Sequence, residues 1–318
     1  MRVLVTGGAG FIGSNLADTL LSQGHTVRVL DDLCTGYREN VSPDCEFIEG
    51  DVAVEDIVRT AVKGADVVFH QAAHRAVLRS VEHPLTTDRA NTHGTLTVLK
   101  AALDAGARRV VYASSSSIYG GSEMMPTPET APAIPRSPYA VTKLTGEHYC
   151  RVFSELYGLE TVALRYFNVY GARQRPDSAY AAVIPLFINA LQTDGRPEVH
   201  GDGLQSRDFT HIDDVVAANV AASTAPAENC SGKAYNIAGG GAHSLMDLLG
   251  ILEDIMGRTA TPVHTAPRPG DVRHTRADIS AARADLGHAP QVDFAEGLSR
   301  TVAWMAAATP DQAAIAAS

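Results

Sequence analysis

Residues 2–13 read Arg2-Val3-Leu4-Val5-Thr6-Gly7-Gly8-Ala9-Gly10-Phe11-Ile12-Gly13. Arg2–Thr6 has the apolar, β-branched texture of a short buried strand. Phe11–Gln23 then places Ile12, Leu16, Leu20 and Leu21 on one helical face, with Gly24 as its stop. Between them the glycines fall in a G-x-x-G-x-x-G spacing. Gly7 allows the tight turn, Gly10 lets a pyrophosphate approach the backbone, and Gly13 lets helix and strand pack closely. The helix N-terminus, with its exposed N–H groups, then faces the phosphate charge.

The next strand, Val27–Leu30, ends in Asp31-Asp32, 18 residues beyond Gly13. A carboxylate there accepts from both ribose hydroxyls and repels a 2′-phosphate, which favours NAD over NADP. After a weaker strand at Glu46–Glu49, Gly50-Asp51-Val52 suits contacts to the adenine edge. A helix over Val54–Val62, a strand over Asp66–His70, a helix over Asn91–Ala105 and a strand over Val110–Ala113 follow. A long helix over Tyr139–Tyr157, closed by Gly158, and a strand over Thr161–Arg165 complete the series. Strands alternating with helices predict an α/β fold, a Rossmann-like doubly wound parallel sheet covered on both faces.

Beyond Tyr166 loops rich in Gly, Pro and Arg separate short helical stretches near 181–192, 213–222, 244–256 and 294–305. The expected division is a dinucleotide-binding domain over 1–165, a smaller mixed domain over 166–307 and an Ala-rich flexible tail over 308–318. Segments near 211–237 are candidates to return to the first domain. Asp213-Asp214 reads as helix capping, and Leu298, Val302 and Trp304 as core of the last helix.

The 318 residues carry 26 Lys+Arg against 36 Asp+Glu, a net charge of −10, with 45% hydrophobic and 19% charged residues. An acidic chain without a basic run excludes nucleic acid and anionic membranes as expected partners. No apolar run reaches the ~18–20 residues of a membrane helix, and the N-terminus reads as a strand rather than a signal peptide. The four cysteines are scattered, which fits free thiols and a cytoplasmic home. No Cys/His spacing of a metal site is present, so no metal is expected.

Tyr139-Ala-Val-Thr-Lys143 puts a phenol and an ammonium four residues apart on one helix face. A Lys charge beside the phenol favours the phenolate and brings Tyr139 toward use as a general base or acid. Only four of the 26 basic residues are lysines, so this one is not filler. Ser114-Ser115-Ser116-Ser117 ends a strand on the carboxyl side of the sheet, where ligands bind. A Ser hydroxyl there can hydrogen-bond the oxygen that Tyr139 protonates.

The Gly turn, the Ser-rich strand end, Tyr-x-x-x-Lys and Leu164-Arg165-Tyr166-Phe167-Asn168-Val169-Tyr170-Gly171 together resemble the extended short-chain dehydrogenases/reductases. The nucleotide-sugar epimerases of the UDP-hexose 4-epimerase type are the closest branch. The resemblance implies a redox-neutral cycle on tightly held NAD, in which C4 of a UDP-sugar is oxidised, turned and reduced on its other face. It makes Tyr139 the base and acid, Ser115 its partner on the substrate oxygen, and Lys143 the residue that tunes Tyr139 and holds the cofactor. Gly7, Gly10, Phe11, Ile12, Gly13, Asp31, Asp32, Asp51, Val52, Ala72, Ala73, Asn91 and Tyr166 match cofactor positions, with Arg75 toward the pyrophosphate. Asn168, Val183, Arg207, Arg268, Asp271 and Thr275 match substrate positions: Asn168 and the two arginines at the diphosphate, Asp271 at the uridine ribose. A homodimer built through the helices 91–105 and 139–157 is implied as well.

Within this family, dehydratases carry Asp-Glu after the catalytic Thr, where this chain has Ser116 and Ser117. Dehydration is therefore disfavoured, as is the decarboxylation of UDP-glucuronate. Thr275 falls at the gate against the sugar, where a small residue leaves room for an N-acetyl group. Residues 171–185 and 270–274 look most like UDP-N-acetylhexosamine 4-epimerases. UDP-glucose, UDP-glucuronate and a net ketosugar reductase stay open as alternatives, and His74 departs from the commoner small or amide residue.

Overall fold

The computed structural model describes residues 1–176, 181–267 and 272–307. Seven parallel strands form one sheet. Six come from the first half: β1 (Arg2–Thr6), β2 (Thr26–Asp31), β3 (Glu46–Glu49), β4 (Val67–His70), β5 (Arg109–Ser115) and β6 (Glu160–Tyr166). The seventh, Lys233–Ile237, arrives from far along the chain and pairs with β6, Ala234 opposite Ala163 and Ile237 opposite Tyr166. From that edge the order runs Lys233–Ile237, β6, β5, β4, β1, β2, β3. Strand order reverses between β4 and β1, so the crevice above their carboxyl ends is the natural ligand site of such a sheet.

Helices cover both faces, as a parallel sheet requires. On one side α1 (Phe11–Ser22) packs with the helix Ile212–Thr224 over Val3, Val5, Val111 and Val162. On the other lie α2 (Glu55–Val62), α5 (Gly94–Asp104) and α6 (Pro138–Tyr157), burying Leu4, Val68, Val98 and Val110. Pro138 at the helix start and the Ser137 side chain, which accepts from Ala140 N–H at 3.2 Å, begin α6. Gly158, in the left-handed conformation at φ 72°, ends it.

Two short helices, α3 (Val77–Glu82) and α4 (Pro84–Asp88), and one π-helical turn over Arg89–His93 precede α5. Their apolar side chains Val77, Leu78, Val81 and Leu85 point outward, so no core-facing period marks them in the sequence. A third core lies apart from the sheet, where Ile184, Phe187, Leu248, Leu252, Phe294 and Leu298 meet. Leu298 is fully buried there, Val302 packs against it, and Trp304 is only half-buried. Asp213 and Asp214 stand in the first turn of Ile212–Thr224, but its cap is the His211 side chain. Asp214 instead accepts from the Gln291 and Val292 N–H groups. Among the described residues no helix is long and apolar enough to cross a membrane.

Candidate active site

The glycine turn is built for close approach. Gly7 has φ +70°, and a Cβ there would lie 2.6 Å from Ala72 N in the loop after β4. A Cβ on Gly13 would lie 2.2 Å from Gly7 O, which is why β1 and α1 pack so closely. Gly10 differs: its Cβ would meet only Gly7 O, at 3.3 Å, so the side it presents is open. No side chain caps α1, so its first-turn N–H groups at Phe11, Ile12 and Gly13 remain for an anion.

Asp31 closes the other side of the turn. Its buried carboxylate accepts from Ala9 N–H and Leu33 N–H, each at 2.9 Å. Burial raises its pKa, with those two hydrogen bonds opposing. Each oxygen keeps a second lone pair for a hydroxyl donor. Asp32, next to it, is exposed and accepts from Cys34 N–H at 3.1 Å. Asp51 is held below its ordinary pKa: burial works the other way, but the Ala53 N–H and the Arg89 guanidinium prevail. Val52 beside it is buried. This donor and acceptor set, an uncapped helix end over a glycine cradle with a carboxylate at the tip of β2, fits NAD.

Across the crevice the loop after β4 carries Ala72 and Ala73, both half-buried, and the exposed Arg75. The buried Asn91 clamps this loop. Its Oδ1 accepts from His74 N–H at 2.8 Å, and its Nδ2 donates to His74 O at 3.2 Å and to Thr142 Oγ1 at 3.0 Å. Tyr166, at the end of β6, is buried and donates to Gln71 Oε1 at 3.2 Å.

Ser115, Tyr139 and Lys143 meet at the carboxyl end of β5. The Ser115 side chain, which accepts from Ser117 N–H at 3.2 Å, faces the Tyr139 hydroxyl and favours its ionised form. Lys143, buried on the same face of α6, donates from Nζ to Ala113 O at 2.7 Å, with Nζ 5.9 Å from the Tyr139 ring centre. Burial lowers the Lys143 pKa to about 7. The Tyr139 pKa is raised: burial dominates, and Ser115 and the Arg75 charge oppose it. The sequence reading expects Lys143 to pull Tyr139 down. Burial also destabilises the lysine as a cation, and the Arg75 charge is a second positive charge that favours the phenolate. Ser117 Oγ is buried at the same strand end with no protein partner among the described residues.

Beneath this cluster runs a buried polar chain that no local pattern foretold. Ser114 Oγ donates to Glu147, one turn after Lys143 on α6. Glu147 takes a two-pronged contact from Arg165, Nε to Oε1 at 2.9 Å and Nη2 to Oε2 at 2.8 Å. Arg165 also donates to Tyr119 OH at 2.7 Å, and Tyr119 OH donates to Asn236 Oδ1 at 2.7 Å. The chain ties β5, α6, β6 and Lys233–Ile237 into one unit.

After β6 the fold gathers Asn168, Thr275 and Asp208. Asn168 follows β6 with φ +33°, and its Nδ2 donates to Asp208 O at 3.0 Å and to Thr275 Oγ1 at 3.3 Å. Thr275 Oγ1 also accepts from Asp208 N–H at 3.2 Å. The fully buried Asp208 carboxylate accepts from Ala277 N–H at 3.0 Å and Gly240 N–H at 3.1 Å. Burial pushes its pKa up to about 6, against those hydrogen bonds. Arg207 donates to the carbonyl of Ser206, the preceding residue of its own short strand, at 3.0 Å, and Val183 opens the helix Val183–Gln192. Arg268 and Asp271 lie outside the described residues.

The fold also unites three side chains that their spacing keeps apart. Asp32, Cys34 and His74 bring a carboxylate oxygen, a sulfur and an imidazole nitrogen within 4.8 Å of one another.

The model of the NAD dependent epimerase/dehydratase family matches residues 3–238. The chain is 40% identical over 309 residues to the UDP-glucose 4-epimerase of Mycolicibacterium smegmatis, covering 95% of this chain and 97% of that one. Its structure superposes on the Thermotoga maritima UDP-glucose 4-epimerase solved with UDP-glucose at a TM-score of 0.92 and 35% identity, covering 96% and 99% of the two chains. It superposes on the Methanobrevibacter ruminantium UDP-N-acetylglucosamine 4-epimerase, solved with UDP-N-acetylmuramic acid, at 0.91 and 37% identity, covering 97% and 99%.

Proposed function

The chain belongs to the NAD-dependent epimerase/dehydratase family, and we propose that it inverts C4 of a UDP-sugar through a transient 4-keto sugar, with UDP-N-acetylglucosamine and UDP-N-acetylgalactosamine as its substrate pair and UDP-glucose and UDP-galactose as further substrates. The observation that carries this reading is the meeting of Ser115, Tyr139 and Lys143 at one strand end beside the NAD crevice. Both compared 4-epimerase structures share the fold over nearly their whole length.

Bound NAD supplies hydride acceptance and return at C4. Tyr139, as phenolate, takes the proton of the sugar 4-hydroxyl as the C4–O bond becomes a carbonyl. Ser115 donates a hydrogen bond to the same oxygen and holds it against Tyr139. Once C4 has been reduced on its opposite face, Tyr139 returns the proton to that oxygen. Lys143 in its charged form favours the phenolate, and Arg75 adds to that field. The hydride and the proton taken from the sugar are both returned to it, so C4 is inverted with no net redox demand.

The small Thr275 side chain, held by Asn168 and the Asp208 N–H, supports the N-acetyl preference. Arg207, Arg268, Asn168 and Asp271 are assigned to the UDP moiety, with the arginines suited to bidentate phosphate contact. The NAD half comprises 1–165 with 211–237, and the sugar half the remainder to 307. Val77, Leu78, Val81, Leu85 and Val141 form an exposed apolar surface on α3, α4 and α6, which supports a homodimer through that helical face. The four free cysteines, three of them buried, suit a reducing cytoplasm.

A proton NMR time course with UDP-N-acetylglucosamine and no added NAD tests the reading. A second anomeric signal growing to a constant ratio without net NADH is the expected result. Turnover of UDP-glucuronate alone would replace the N-acetyl assignment, and a demand for added nicotinamide would replace the epimerase by a net reductase. The Tyr139→Phe variant is expected to keep NAD and lose turnover by about 10²–10⁴-fold or more; full activity would overturn the assignment of Tyr139.

A further inference from the structure

Two loops flank the glycine turn: one follows β2 and carries Asp32 and Cys34, the other follows β4 and carries His74. They come from strands on opposite sides of β1. Their three side chains converge at the rim of the crevice, with all ligand atoms within 4.8 Å of one another. We propose that Asp32, Cys34 and His74 form a binding site for a soft divalent cation of the zinc class, with one position left to solvent.

The geometry supports it first. Cys34 Sγ and His74 Nε2 are 3.7 Å apart. Two such ligands on a tetrahedral zinc ion, at about 2.3 Å for sulfur and about 2.05 Å for nitrogen, stand about 3.5 Å apart. The sulfur and the nitrogen therefore already stand near the spacing such an ion needs, with the Asp32 oxygen within 4.8 Å of both.

The ligand set supports it next. One thiolate, one imidazole and one carboxylate are the donors zinc takes, and the thiolate disfavours magnesium and calcium, which take oxygen. Three protein ligands with one open position is the pattern of a non-structural zinc site.

The surroundings add a third point. The His74 backbone is clamped on both sides by the buried Asn91, so the imidazole is presented from a fixed base. Nε2 is the nitrogen that faces the loop across the crevice, 3.7 Å from Cys34 Sγ. Cys34 is exposed, whereas Cys45, Cys150 and Cys230 are buried, so no other thiol of the folded chain is open to a metal from solution.

An ion here would join the loops on either side of the glycine turn. The site is distinct from the Tyr139 cluster, and its test does not depend on which sugar is turned over. The holoprotein, as purified and stripped of adventitious metal by dialysis, is titrated with cobalt(II) and then with zinc(II). One equivalent of cobalt should raise a thiolate-to-metal charge-transfer band in the near ultraviolet, and zinc should abolish it. Cys34→Ser should remove the band, and His74→Gln should weaken binding by about tenfold or more, since even the loss of an outer-shell partner costs about 10–100-fold. Circular dichroism establishes that both variants are folded. A wild-type protein without the band, or a band that survives Cys34→Ser in a folded variant, would overturn the proposal.

Discussion

Asn168 Nδ2 donates to Thr275 Oγ1 at 3.3 Å, across 107 residues of chain. The same oxygen accepts from Asp208 N–H, so Thr275, which we propose stands at the sugar gate, is fixed by polar contacts from two other segments. Replacing Thr275 by Tyr fills the gate. Turnover of UDP-N-acetylglucosamine is expected to fall by about tenfold or more, the scale at which a steric pocket discriminates, while UDP-glucose turnover is retained. Steady-state kinetics on both substrates measure the ratio, and an equal loss on both would remove Thr275 from the gate.

Gly10 and Gly13 sit in one turn but should fail differently. A Cβ at Gly13 runs into Gly7 O at 2.2 Å, and backbone cannot step aside. Gly13→Ala is expected to lower the melting temperature, with about 1–3 kcal/mol lost to overpacking. Gly10→Ala meets only one atom, at 3.3 Å, and keeps the fold while weakening NAD retention. Thermal denaturation read alongside the NAD released on unfolding separates the two outcomes.

The Glu147–Arg165 pair is buried and linked to Ser114 and Tyr119. Glu147→Gln leaves an arginine inside the protein without its counter-charge, at a cost of about 3–5 kcal/mol. Replacing both residues by Met should cost less than either single change. Urea denaturation of the two single variants and the double variant checks this, and additive losses would contradict it.

Asp208 sets a pH dependence whose sign is opposite to that of an ordinary paired carboxylate. Its folded pKa is raised to about 6 by burial, above an unfolded value of about 3.9. The folded state therefore binds the proton more tightly. Stability contributed by this group is fully present below about pH 4, is lost as pH rises toward 6, and is flat above. The total change is on the order of 2–3 kcal/mol. Asp208→Asn should abolish that slope and add a pH-independent loss, because an amide nitrogen cannot accept from Gly240 or Ala277 N–H. Denaturant midpoints between pH 4 and 7 read out both effects.

What was legible in the sequence was what local geometry dictates. The glycine turn, the Asp31 strand tip and the four-residue step from Tyr139 to Lys143 depend on neighbours in the chain, so their spacing carried the meaning. The strand over Glu46–Glu49 and the long helix ending at Gly158 follow from period and stop signals in the same way. Val77–Glu82 and Pro84–Asp88 escaped because their apolar residues face outward, so the usual inward stripe is missing. Asp208, Glu147 and the trio Asp32, Cys34 and His74 escaped for another reason. Their partners lie on different elements, and nothing in a spacing of two or forty residues announces a contact made by strand order.

The strand Lys233–Ile237 completes the sheet only after a long excursion of the chain beyond β6. During synthesis β6 must therefore wait as a bare edge, with its N–H and C=O groups open, until residue 237 has left the ribosome. Asn236, the last member of the polar chain from Ser114, arrives at the same moment. A nascent chain halted earlier has every residue of the Tyr139 cluster and yet exposes a sticky strand edge, the kind of surface that other copies and chaperones capture. The order in which the polypeptide emerges thus makes the far segment a timer for the maturation of the near one.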